Sequence, residues 1–204
     1  MPRSKQQFEE IRNKSRQQIL DAALKLFSEK GFDKTSVSDI AREAGVSKGL
    51  AYNYFESKQK LAEAIFEMTI DLGKEMEAVV DGIEDPYEKL AVFIDLSRKF
   101  IRENETLWRF LVNFSLQPKV TPGIIEYASD YNNHMLYKVE EIFRSIGIEN
   151  ARNETYIYSA LFDGIGMNYY LLNKNFPIDE VMDLFRQKYS REGLQHLIKK
   201  KEEL

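Results

Sequence analysis

Between Thr35 and Leu61 the chain gathers side chains that donate hydrogen bonds or carry positive charge: Thr35, Ser36, Ser38, Lys48, Tyr52, Asn53, Tyr54, Ser57 and Lys58. Their chemistry is recognition rather than bond making. Lysines and hydroxyls at this density suit phosphate oxygens and base edges, and nothing beside them forms a nucleophile–base pair. The rest of the chain offers no better candidate. Its two histidines, His134 and His196, are far apart, and it has no cysteine. It contains no HExxH, no phosphate-binding glycine loop and no Glu-x-x-His pair. Expectations from the residues alone are therefore no catalytic residue, no metal site, no disulfide and no cofactor.

The elements that hold these donors can be read from local signals. Ser36 with Asp39 three residues on has the form of a capping box, which starts a helix at about Val37. That helix runs to Ala44, with Val37, Ile40, Ala41 and Ala44 on its inner face. Gly45 permits the chain reversal, Val46 plugs the angle, and Ser47 caps a second short helix, Lys48 to Phe55. This second helix opens with small or polar residues, so its start can enter a major groove. Tyr52 and Tyr54 carry hydroxyls on rigid rings, and Phe55 turns back as the anchor. Ser57 caps the next helix and sets Lys58 beside free backbone N–H groups, a natural phosphate site. Before this pair, Ser15 to Lys30 reads as a supporting helix with Ile19, Ala23, Leu26 and Phe27 on one face and Gly31 as its stop. Residues 1–13 read as a frayed arm.

Charge agrees with this placement. The whole chain has 204 residues and a formal net charge of −4. Residues 1–60 hold 12 Lys and Arg against 8 Asp and Glu, a balance of +4, and subtracting these from the totals of 29 and 33 leaves 17 against 25, or −8, for the remainder. A basic head on an acidic body is the distribution a DNA-binding head needs.

The pattern T-x-x-x-I-A-x-x-A-G-V-S-x-G-x-x-Y-x-Y-F-x-S-K-x-x-L, with the preceding A-x-x-L-F-x-x-x-G-F, resembles the DNA-binding domain of the TetR family of bacterial repressors over residues 12–72. The resemblance implies a three-helix domain whose third helix reads the major groove. Carried over by position, Lys48, Gly49, Leu50 and Tyr52 face bases, as does Ser38. Ser36, Tyr54, Lys58, Thr35 and Asn53 face phosphates. Leu50 stands where Thr or Ser is frequent in the family, and it could touch a thymine methyl. Ala51 replaces a larger aliphatic and shrinks the core beneath the recognition helix.

Apolar residues elsewhere recur at three and four, with 43% apolar and 30% charged residues overall, so the chain reads as all-α with about nine helices. The expected division is a DNA-binding domain, 12–72, and a helical ligand-binding and dimerisation domain, 73–204. Leu61 to Val80 forms a lever between them. Helices follow over 87–102, 105–116, 124–146, 151–173 and 178–189, with a break around Pro118 and Thr121 and a solvated charged tail. The 151–173 segment is apolar most of the way round, so one side meets the core and the other a partner. Tyr156, Ala160, Gly164, Met167 and Leu171, with Val181, Phe185 and Tyr189 of the last helix, are the expected dimer face. Phe93, Phe100, Trp108, Phe114, Tyr131, His134, Met135, Phe162 and Tyr170 are the candidate lining of an effector cavity. The reading is a cytoplasmic, non-membrane, ligand-responsive repressor. It binds double-stranded DNA at an inverted repeat as a homodimer and is released by a small, largely apolar effector through a population shift. The alternative is a helical scaffolding protein without sequence-specific DNA binding.

Overall fold

A computed structural model describes residues 5–115, 122–172 and 175–198. Nine α-helices occur among the described residues: α1 (Lys5–Lys30), α2 (Val37–Glu43), α3 (Lys48–Tyr54), α4 (Lys58–Asp81), α5 (Pro86–Glu103), α6 (Glu105–Ser115), α7 (Pro122–Ile146), α8 (Ala151–Leu172) and α9 (Ile178–Lys188). A short 3-10 turn, Gln195–Leu197, follows, and an isolated antiparallel bridge joins Ile148 to Ile198. The expected break at Pro118 and Thr121 and the charged tail lie outside the described residues.

One expectation fails at the start. The segment read as a frayed arm is helical from Lys5 and continuous with α1. Its Gln, Glu, Arg and Lys residues are good helix formers, and no glycine or proline interrupts them. No apolar periodicity marks this first stretch, and Phe8 and Ile11 remain exposed on it.

The chain divides into two compact units. The first comprises Met1–Thr69 with Arg109–Ile125, and the second Ile70–Trp108 with Glu126–Leu204. The head is thus discontinuous in sequence, unlike the continuous 12–72 expected. Its core joins Ile19, Ala23, Leu26 and Phe27 of α1 to Ile40, Ala41, Ala51, Phe55, Leu61 and Ile65, all buried. The end of α6 completes it. Phe110 lies 6.0 Å from Phe27 and 5.3 Å from Phe66, while Phe114 lies 5.5 Å from Phe32 and 5.0 Å from Phe66. Asn113 donates to the Ser28 carbonyl at 3.1 Å. Phe114, expected at an effector cavity, is instead a core residue of the head.

In the second unit, Leu90, Ile94 and Ile101 of α5 meet Val139 and Phe143 of α7, Tyr158 and Ile165 of α8, and Met182, Phe185 and Tyr189 of α9. Phe185 and Tyr189, expected to face a partner, are buried here: Tyr158 sits 5.0 Å from Phe185 and 4.8 Å from Tyr189. The Tyr189 hydroxyl donates to buried Glu154 at 2.8 Å. Arg98–Asp183 and Arg102–Asp179 ion pairs run along the α5–α9 contact.

Candidate nucleic-acid interface

The α2–α3 unit is set by backbone and caps before any side chain reaches outward. Ser36 accepts from the Asp39 N–H while the Asp39 carboxylate accepts from the Ser36 N–H, the reciprocal box the spacing predicted. Gly45 adopts φ 67°, in the left-handed region, and Val46 N–H closes the turn on the Ala41 carbonyl at 3.0 Å. Ala41 and Ala51 are buried at the crossing, where small side chains let the two axes approach. Ser47 then caps α3 by accepting from Leu50 N–H at 3.1 Å.

This leaves one face of α3 outward. Lys48, Gly49, Tyr52 and Asn53 are exposed, and Leu50 and Tyr54 are half-buried beside them. The Lys48 ammonium stands 5.9 Å from the centre of the Tyr52 ring. Beyond its chain neighbours and the helix's own backbone, no atom of the described residues lies within 4 Å of where a Gly49 Cβ would be, so bare backbone is offered there. Ser38 and Ser36 are exposed on α2, with the Ser36 hydroxyl engaged by Asp39. Hydrogen bonds from Ser36 and Arg42 hold the Asp39 carboxyl below the usual range. The face is rich in donors, and among the described residues no carboxylate pairs with Lys48.

Two expected phosphate contacts are placed otherwise. Thr35 is buried, and its hydroxyl donates to the Gly31 carbonyl at 2.8 Å. The Lys58 ammonium points into the turn after α1. It donates to the carbonyls of Phe32 at 2.8 Å, Thr35 at 3.3 Å and Asp33 at 3.4 Å, and sits 4.3 Å from the Phe32 ring centre. Three N–H donors meet three carbonyls. The signal in the sequence was the tight turn of Gly31 to Thr35 directly after a helix, whose backbone carbonyls need donors. Arg16 also escaped notice; it is exposed and lies 5.1 Å over the Phe55 ring.

In the second unit, α4, the connection to α5, α5, α7 and α8 line an open cavity of about 320 Å³. Of the candidate lining residues, Phe93 and Met135 border it. Phe100, Trp108 and Phe162 pack instead against the core. Trp108 stands edge-on to Phe100 and Phe162 and donates to the Gly166 carbonyl at 2.9 Å. Tyr131 packs on Gly73, and burial, ahead of the nearby Glu77 charge, pushes its phenol up to about 12. His134 is held by Glu77 at 2.8 Å. Neither of these two nor the half-buried Tyr170 borders the cavity. The sequence reading missed the charged border, Glu77, Asp81, Glu84, Lys89, Lys138 and Glu141, and buried Tyr158.

The same unit presents an apolar face on α8. Tyr156, Ile157, Leu161, Leu171 and Leu172 are exposed, as is Leu184 on α9. Ala160 and Gly164 lie between them, with nothing within 4 Å of a Gly164 Cβ. Val181 and Met167 are half-buried.

Comparison with known proteins agrees with this architecture. Residues 19–65 match the family model described as bacterial regulatory proteins, tetR family. The HTH-type transcriptional regulator BetI of Brucella anthropi is 28% identical over 132 residues, covering 62% of this chain and 68% of that protein. The fatty acid degradation regulator FadR from Bacillus halodurans superposes with a TM-score of 0.73 at 19% identity, over 86% of this chain and 94% of that one. A transcriptional regulator from Saccharomonospora viridis, in complex with choline, gives 0.71 at 20% identity over 93% and 100%. At these identities the structural likeness is one of fold.

Proposed function

Because this chain is a helix-turn-helix transcriptional regulator of the TetR family, we propose that it represses transcription in the cytoplasm by binding an inverted-repeat operator as a homodimer. The observation that carries the reading is the outward face of α3. Lys48, Gly49, Tyr52 and Asn53 stand together on a helix whose start is fixed by Ser47 and whose inner side is anchored by Ala51 and Phe55. Lys48, Leu50, Tyr52 and Ser38 are assigned to base edges, and Ser36, Asn53 and Tyr54 to the flanking phosphates.

A single short recognition helix reads too few base pairs to select a site, so two copies are needed. The α8 face with Leu184 supplies the surface for a second copy of this chain. Ala160 and Gly164 would let the paired helices approach closely. Half-site centres then fall about 34–36 Å apart or at a multiple of that spacing.

A small effector with an apolar body is assigned to the cavity. One structural relative is in complex with choline and another regulates fatty acid degradation, so their names do not select a ligand class for this chain. α4 borders the cavity through Glu77, Val80 and Asp81 and contributes its first turns, from Lys58, to the head. A ligand that favours one placement of α4 shifts the population away from the DNA-binding form.

The test is a mobility-shift series on sites selected from a random DNA pool, repeated over salt. Selection should return an inverted repeat, and Lys48→Ala should change the preferred bases. Binding without sequence preference would favour the scaffolding alternative and overturn the reading.

A further inference from the structure

α1 begins well before the head has a core. Its first buried residue is Ile19, and every side chain from Gln6 to Gln18 is exposed except half-buried Ser15. These residues form about 20 Å of helix at about 1.5 Å per residue. The stretch carries Lys5, Arg12, Lys14 and Arg16 against Glu9 and Glu10, a surplus of two positive charges. Arg12 and Arg16 are one turn apart and share the side of α1 that Ile19 and Ala23 bury further along. Among the described residues no carboxylate pairs with either arginine. Phe8 and Ile11 are exposed here too, but two apolar side chains are too little area to hold a protein partner by themselves.

A second observation ties this row to the outward face of α3. The Arg16 guanidinium stands 5.1 Å over the centre of the Phe55 ring. Phe55 is buried, closes α3 as its C-cap and directly follows Tyr54, the residue assigned to a flanking phosphate. Arg16 therefore lies at the opposite end of α3 from Lys48, in continuity with the same interface. The ring restrains the guanidinium but offers it no acceptor oxygen. Its N–H fork remains for an anion, and a phosphate presents oxygens in the matching geometry.

We propose that the exposed first turns of α1 are a second anchor on the DNA phosphate backbone, with Arg16, held over Phe55, and Arg12 each on a phosphate beside the one assigned to Tyr54. This rests on the reading of the α3 face as the DNA contact. It adds to the base-reading side chains two cations that fix how α3 is held in the groove and carry no sequence information themselves.

The experiment measures DNA binding by the full chain over a salt series, on the site selected from the random pool and on an unrelated duplex. Arg12→Gln and Arg16→Gln should each lower the slope of log affinity against log salt by about 0.9 per protomer, and together by about 1.8. The fall should be equal on the two duplexes, and selection with the double variant should return the wild-type consensus. Arg16→Lys keeps the charge and should keep the wild-type slope. A wild-type slope in either glutamine variant overturns the proposal, as does a changed consensus in the double variant. A lowered Tm with a wild-type slope would leave Arg16 as no more than a cover for Phe55. Wild-type slopes together with altered sedimentation on combining Phe8→Ser and Ile11→Ser would make the stretch a protein contact instead. Slope losses on the unrelated duplex in a chain that shows no site preference would sink the regulator reading and leave this one standing. Site-specific binding with unchanged slopes would sink this one alone.

Discussion

Replacing Lys58 by Met separates a contact to DNA from a contact that builds the head. The thioether keeps most of the stem but removes the ammonium. The bond to the Phe32 carbonyl at 2.8 Å is charge-assisted, and such bonds contribute about 1.5–3 kcal/mol, toward the lower end at a half-exposed site. Loss of the cation from 4.3 Å over the Phe32 ring adds about 0.5–1 kcal/mol, partly offset by the sulfur–ring contact that Met can make. The longer contacts to Asp33 and Thr35 are near the limit of a hydrogen bond and add little. The expected destabilisation is about 1.5–2.5 kcal/mol, or a fall in Tm of about 3–10 °C for a chain of this size. Each phosphate contact contributes about 0.9 to the slope of log affinity against log salt. Because all three ammonium donors are engaged by carbonyls, the Met variant should keep the wild-type slope at temperatures where it remains folded. Thermal unfolding and salt-titrated DNA binding measure the two quantities on the same sample. An unchanged Tm with a slope reduced by about 0.9 per protomer would refute the assignment and return Lys58 to the phosphate backbone.

Three further outcomes follow from packing and charge. A methyl at Gly166 would overlap the Trp108 indole, so Gly166→Ala should cost about 1–3 kcal/mol, and the fluorescence of Trp108, the chain's single tryptophan, should shift as its bond to the Gly166 carbonyl is displaced. Leu171→Glu, on the exposed face of α8, should leave the thermal stability of the monomer within about 0.5 kcal/mol but dissociate the proposed dimer in sedimentation, whereas Phe185→Glu should prevent folding. Burial pulls the Glu77 carboxyl up, but bonds from Lys138 and His134 outweigh it and hold it below the usual range. The stability Glu77 confers is therefore complete above its unfolded value of about 4.3 and is lost as pH falls through the lower folded value. Glu77→Gln should lower Tm at pH 7 and lose that penalty under acid, with Asp81 and Lys138 unchanged; an equal penalty at both pH values would contradict the sign.

Most of the head was legible because its determinants are local. The Ser36–Asp39 box, the Gly45 reversal and the Ser47 cap each act within a few residues, so spacing alone carries them. Exposure of Lys48, Tyr52 and Asn53 follows from helix phase once Ala51 and Phe55 are assigned inward. Thr35 and Lys58 were misplaced because family position and polarity did not weigh the backbone carbonyls that the turn after α1 presents to them. Phe114 was misplaced for a different reason. It belongs to a helix read as part of the body, yet its ring meets Phe32 and Phe66, contacts that no sequence period records.

The dimer candidates show how far a period reaches. On α8 the turn of 3.6 residues puts Tyr156, Ala160, Gly164 and Leu171 on one side and Tyr158 and Ile165 on the other, and their exposure divides accordingly. The expectation of two covered sides was therefore an inference from helix geometry, but Leu161 and Leu172 depart from it: they are in phase with Tyr158 and Ile165 and are nevertheless exposed. On α9 the same method selected the inner side. Val181, Phe185 and Tyr189 are in phase with buried Met182, while exposed Leu184 was passed over. A period identifies an apolar face but not what covers it. On α9 that is decided by Tyr158 and Phe143 against Tyr189, and by the Arg98 and Arg102 ion pairs that hold the helix to α5. The charged rim of the cavity was invisible for the same reason. Glu77, Lys89 and Glu141 each look like an ordinary solvated position on its own helix and Glu84 like one in a loop, and only the tertiary fold brings them to one opening.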